Sequence, residues 1–143
     1  MRKALFLMVA AIVASIGLVG CQSEPQPQLE VSSIQTIEGT VSYRERIALP
    51  EGALVTVTLE DISLADAPAM VIGKHRFETN GQQVPIAFSL DFDSRKIKQG
   101  HRYNVRAKIE VDGRLRFTTD TIVPVVNDEA ETLKVDLRLV GVR

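Results

Sequence analysis

Tyr103-Asn-Val-Arg-Ala-Lys-Ile-Glu-Val111, followed by Asp112-Gly113, is the stretch from which the fold is read. Tyr103, Val105, Ala107, Ile109 and Val111 alternate with Arg102, Asn104, Arg106, Lys108 and Glu110. Successive strand residues point to opposite faces, so a strict period of two predicts a strand buried on one side and wet on the other. Asp-Gly favours the positive φ angles of a type I′ turn and predicts a hairpin. Leu115, Phe117 and Thr119 then form the inward set of the returning strand. Further on, Leu133, Val135, Leu137 and Leu139 alternate with Lys134, Asp136 and Arg138. Upstream the same period links Ile37, Gly39, Val41 and Tyr43, then Ala53, Val55, Val57 and Leu59, with Leu49-Pro-Glu-Gly52 as the turn between them. A third strand is predicted over Met70–Thr79, closed by Asn80-Gly81, and a fourth places Ile86, Phe88, Leu90 and Phe92 on one face. Ser94–Gln99 is the single weak helical candidate. Half-buried strands with frequent turns predict an all-β, single-domain, antiparallel β-sandwich of about seven to eight strands. Tyr103, opening a strand after a loop, is either a tyrosine corner or ordinary core packing.

The N-terminus follows a different rule. Met1-Arg-Lys3 is cationic, and Ala4–Gly17 is almost wholly apolar. That length suits a signal-peptide core and is short for a bilayer span. Leu18-Val19-Gly20-Cys21 follows and resembles the bacterial lipobox, with Leu18, Val19 and Gly20 as signal-peptidase recognition residues and Cys21 as the lipidation site. Cys21 is the only cysteine of 143 residues, so neither an internal disulfide nor a thiolate metal set is available. Gln22 stands where such signals carry an aspartate for inner-membrane retention, and so implies outer-membrane sorting. The expected organisation is a signal peptide over 1–20, the lipidated cysteine and a flexible tether over 21–36, and the β domain over 37–143. Pro25 and Pro27 favour an extended tether. A dozen such residues span about 35–40 Å. Removing Arg2 and Lys3 with the signal leaves 15 basic against 18 acidic residues, a charge of −3. That balance gives no basis for nucleic-acid binding.

Motifs of catalysis are missing from the sequence. His75 and His101 lack partners at metal-ligand spacing, and no metal or other cofactor is expected. Asp61, Asp66, Asp91 and Asp93 do not match a calcium loop and read as solvated acids. Ser42, Ser63, Ser89 and Ser94 stand in no nucleophile motif. With no Trp and few aromatics, the chain lacks the flat platforms of sugar-binding sites. The expectation is a protein that is not an enzyme. Arg102, Arg106, Lys108, Arg114 and Arg116 fall on the polar sides of one hairpin. They read as a solvated sheet face or as a partner-docking face.

Gly39-Thr-Val41, Arg46-x-Ala48-Leu-Pro50, Val55-x-Val57-x-Leu59-x-Asp61-x-Ser63-x-Ala65-Asp-Ala-Pro68 and Phe117-x-Thr119-Asp-Thr121-x-x-Pro124-Val125 together resemble the YbaY/YscW-type lipoproteins. The resemblance covers roughly residues 38–140 and is closer to the YbaY branch. It implies a β-sandwich and no catalytic residues, while the lipobox and Gln22 imply attachment to the periplasmic face of the outer membrane through lipid on Cys21. From the YscW branch it implies a non-catalytic binding or chaperone role of the pilotin kind, with an envelope protein such as a secretin as partner. From the YbaY branch it implies, as the alternative, a part in envelope glycoprotein or polysaccharide metabolism through glycan binding.

Overall fold

The computed structural model describes residues 32–143. Cys21, Leu18, Val19, Gly20, Gln22 and most of the expected tether lie outside the described residues. Eight strands follow in order: β1 Ile34–Tyr43, β2 Leu54–Asp61, β3 Met70–Glu78, β4 Ile86–Asp93, β5 Tyr103–Val111, β6 Arg114–Thr118, β7 Pro124–Val125 and β8 Lys134–Gly141. The helical candidate is a single 3-10 turn, Ser94–Lys96, capped by the Asp93 carboxylate on Arg95 N.

The expected sandwich is corrected to a nearly closed barrel. The strands form one sheet in the order β3-β2-β5-β6-β8-β1-β4, with β7 paired to β5. What would be two sheets is joined by a short antiparallel ladder, Phe117 with Gly141 and Thr118 with Val140. β1 and β8, the first and last strands, run parallel over Glu38–Tyr43 and Lys134–Leu139. The other pairings are antiparallel. Inside–outside alternation is the same in a sandwich and in a barrel, because both wrap one apolar face around a core. The two-residue ladder between β6 and β8 makes the difference.

β3 and β4 are the two ends of the sheet. They come together where Gly73 allows it. A Cβ at this position would stand 2.9 Å from the Asp91 carbonyl oxygen and 3.2 Å from Phe92 Cβ. Gly39 is tighter still, with a Cβ there only 1.7 Å from the Val135 carbonyl oxygen. It lets β1 approach β8 closely.

The core contains the stripes read from the sequence. Ile37, Val41, Val55, Val57, Leu59, Leu90, Val105, Ile109 and Leu137 are wholly buried. Tyr43 and Phe117 stack across the closing ladder with centroids 4.0 Å apart. Leu115 was expected inside and is 40% exposed. The β5–β6 register shifts between Ile109 and Glu110, so Leu115 sits opposite outward-facing Glu110. The slipped residue reverses the alternation. Leu133, just before β8, is also exposed where inward packing was expected. Asp112 and Gly113 have φ of 51° and 74°, the positive pair a type I′ turn requires. Tyr103 is buried, and its hydroxyl accepts from Lys98 N at 2.8 Å, the tyrosine-corner bond in a barrel setting.

Candidate functional site

The outer face of β3, β2, β5 and β6 carries a groove of about 460 Å³. Its floor is built from β2, where β-branched threonines suit a strand and point away from the core stripe of Val55, Val57 and Leu59. Cross-strand register then decides what flanks each threonine. Thr56 lies opposite Arg76 of β3 and Lys108 of β5. Thr58 lies opposite Lys74 of β3 and Arg106 of β5. Each threonine is thus a central position between two cations, and the two ranks stand about 6.8 Å apart along the strand. Glu60 and Glu110 line the two ends of the groove.

Most of this charge is unneutralised by neighbours. Lys108 Nζ lies 3.3 Å from Glu110 Oε1, while Lys74, Arg76 and Arg106 form no ion pair among the described residues. Thr58 Oγ1 donates to Glu60 Oε1 at 3.3 Å. Thr56 differs. It is only 5% exposed, and its Oγ1 is buried without a hydrogen-bond partner. Such a group costs about 1–3 kcal/mol when left unpaired. The arrangement suits a bound anion, with charge on both sides of each threonine and, at Thr56, an unpartnered hydroxyl beneath, the Thr58 hydroxyl being taken by Glu60.

Of the five basic residues read as a docking face, the groove takes Arg106 and Lys108. Arg102 precedes β5 and lines a separate small pocket with Ile62, Ile122 and Val125. Arg114 and Arg116 are exposed on β6 on either side of outward-turned Leu115, outside the groove lining. Lys74 and Arg76 were missed by the sequence reading. Their signal was the alternation Lys74-x-Arg76-x-Glu78 on one face of β3, which acquires meaning only when β3 is known to pair with β2. A larger, shallower concavity of about 880 Å³ lies where β1, β3, β4 and β8 meet, with His75, Phe77, Ala87 and Phe88 in its lining.

The acids singled out in the sequence do not converge. Asp91 Oδ1 accepts from Thr36 Oγ1 at 2.6 Å. Asp93 caps the 3-10 turn and pairs with Arg95, whose hydrogen bonds hold its carboxyl below the ordinary range. Asp66 is exposed in the loop after β2. Asp61 is joined to His101, Oδ2 to Nδ1 at 2.7 Å, and its Oδ1 accepts from Ser63 N at 2.9 Å. Burial pushes the Asp61 carboxyl up, but hydrogen bonds from Ser63 and His101 outweigh it and bring the pKa to about 2. Ser63 Oγ in turn accepts from Arg102 N at 2.8 Å. The cluster fastens the Ser-x-Ala-Asp-Ala-Pro loop to the start of β5. Ser63 is spent on Asp61 and Arg102, not on the imidazole. Among the described residues no three of His, Cys, Asp and Glu come together as a metal-binding set.

Three comparisons bear on this barrel. A family model described as the type III secretion system lipoprotein chaperone (YscW) matches residues 32–139. The uncharacterized lipoprotein YbaY of Escherichia coli strain K12 is 34% identical over 151 residues, covering 95% of this chain and 78% of the relative. A solved structure of an alternative pilotin from the type II secretion system of Vibrio cholerae is 61% identical, with a TM-score of 0.75. That match covers 77% of this chain and 98% of the pilotin chain.

Proposed function

The chain belongs to the type III secretion system lipoprotein chaperone (YscW) family, and from that premise we propose that it is a pilotin, held on the periplasmic face of the outer membrane by lipid and docking a secretin there. The single observation that carries this reading is the 61% identity to a type II secretion pilotin over 98% of that protein's length. At that identity nearly all of the β framework is shared, which supports a docking role of the same kind.

In this reading Leu18-Val19-Gly20 guide cleavage, Cys21 becomes the lipidated first residue, and Gln22 permits transfer to the outer membrane. One acyl chain gives only marginal retention at about 0.8 kcal/mol per buried methylene. The three chains usual for processed lipoproteins make it effectively permanent. The work of the barrel is binding, without catalysis.

The test is direct. Detergent-solubilised envelopes are passed over the immobilised protein, and secretin multimers are followed in a strain lacking it. Recovery of the secretin, and its loss from the outer membrane in that strain, are expected. Normal secretin multimers in the outer membrane of the deletion strain would remove the pilotin reading.

A further inference from the structure

We propose that the groove over Thr56 and Thr58 is the seat of an acidic peptide segment of the docked partner, with two carboxylates held side by side, one over each threonine. This rests on the docking role proposed above and names the chemistry of the surface that performs it.

The argument starts from the lattice of side chains. Arg76–Thr56–Lys108 and Lys74–Thr58–Arg106 repeat the same order across three strands. Neighbouring strands lie about 4.8 Å apart, so an anion above either threonine has a cation on each side at ion-pair range. The ranks, about 6.8 Å apart, fit carboxylates four residues apart on a helix or two apart on an extended chain.

Thr56 supplies an independent observation. Its position is as buried as a core residue, and valine would fill it with the same shape. A hydroxyl there, with no partner in the free protein, is an unmet donor at the floor of a cationic groove. That oxygen is shielded from solvent in the free protein, so an accepting carboxylate satisfies it once the side chains covering it move aside. Thr79 Oγ1 is also unpartnered but lies just past the end of β3 and lines no part of the groove.

The charge pattern selects a peptide over a lipid surface. Along the groove the order is Glu60, two cations, two cations, then Glu110. Acids at both ends confine the positive field to two ranks. A continuous anionic bilayer would meet those acids as well, whereas a segment with two acids bracketed by basic residues complements all four.

The experiment uses the purified full-length protein in detergent and two labelled 16-residue peptides, each with a lysine one turn beyond either acid. One peptide carries glutamates four positions apart and the other two positions apart, each with a glutamine counterpart. At least one glutamate peptide is expected to bind about 10-fold tighter than its counterpart, with affinity falling as salt rises. The double charge reversal Lys74→Glu with Arg106→Glu should abolish that preference. Thr56→Val should weaken binding about 5-fold while raising Tm, because the free protein loses an unsatisfied hydroxyl. A merely structural Thr56 would raise Tm and leave binding alone, and that result overturns the assignment. So would glutamate peptides no better than glutamine ones, or vesicles containing phosphatidylglycerol that bind in their place. If wild type captures a secretin and the double variant captures it equally well, the groove assignment fails and the pilotin reading stands. If wild type captures none, the pilotin reading itself fails.

Discussion

Replacing Gly39 with alanine adds one methyl group to an extended strand, where it would ordinarily help. Alanine lowers the entropy of the unfolded chain and stabilises a compatible site by about 0.4–1 kcal/mol. Position 39 is not compatible. Its Cβ would stand 1.7 Å from the Val135 carbonyl oxygen, with Phe88 Cε1 at 3.1 Å behind. A tolerable carbon–oxygen contact needs about 3.2 Å, so β1 and β8 must separate by more than an ångström, beyond what a hydrogen bond survives. The ladder around Gly39–Val135 would lose about two backbone bonds at about 1 kcal/mol each. Opening a gap beside Val135 and Phe88 adds about 1 kcal/mol. After the entropy gain, the net cost is about 2–2.5 kcal/mol, a fall in Tm of about 8–10 °C. Thermal and urea unfolding followed by far-UV circular dichroism suits a chain without Trp. The loss should appear in the urea midpoint with the slope unchanged. An alanine variant as stable as wild type, or more so, would refute the close approach of β1 to β8 at this position.

Tyr103→Phe removes the acceptor from Lys98 N and should cost about 1–2 kcal/mol in urea unfolding; an unchanged midpoint would mean the bond is replaced by water at no cost. The lowered pKa of Asp61, about 2, makes its bonds to His101 and Ser63 a stability term present above the unfolded carboxyl pKa near 3.8 and lost as pH falls towards 2. Allowing for solvent around the partly exposed pair, that term is about 1 kcal/mol. Asp61→Asn should therefore differ from wild type at pH 6 and converge with it near pH 2, and a difference independent of pH would count against the linkage. Cys21→Ser should leave the barrel folded by circular dichroism yet move the protein from membrane to soluble fractions. A variant still sedimenting with the envelope after a salt wash would remove Cys21 as the anchor.

Particular residues show how far alternation carries. Ile37, Val41, Val57, Leu59, Ile86, Leu90, Val105, Ile109 and Leu137 were all read as inward and are all buried. Period two is a local property of a pleated chain and needs no knowledge of partners. Leu115 failed because a register shift is a property of two strands, and nothing in Arg114–Thr118 alone announces it. The cationic face was half legible for the same reason. Arg106 and Lys108 stood out on a clean strand, while Lys74 and Arg76 joined them only through the pairing of β3 with β2. Asp61 and His101 were each noticed alone. Forty residues separate them, and the loops that bring them within 2.7 Å follow from the fold.

By itself the sequence determined the all-β class, the inward stripes, the Asp112-Gly113 turn and the lipoprotein character, because each depends on neighbouring residues along the chain. Tertiary structure alone decided that the sheet closes into a barrel. That closure depends on Gly141 meeting Phe117 and on β8 lying parallel to β1, contacts between residues far apart in sequence. It also decided that Thr56 and Thr58 each stand between two cations, an order that runs across strands and is written in none of them singly.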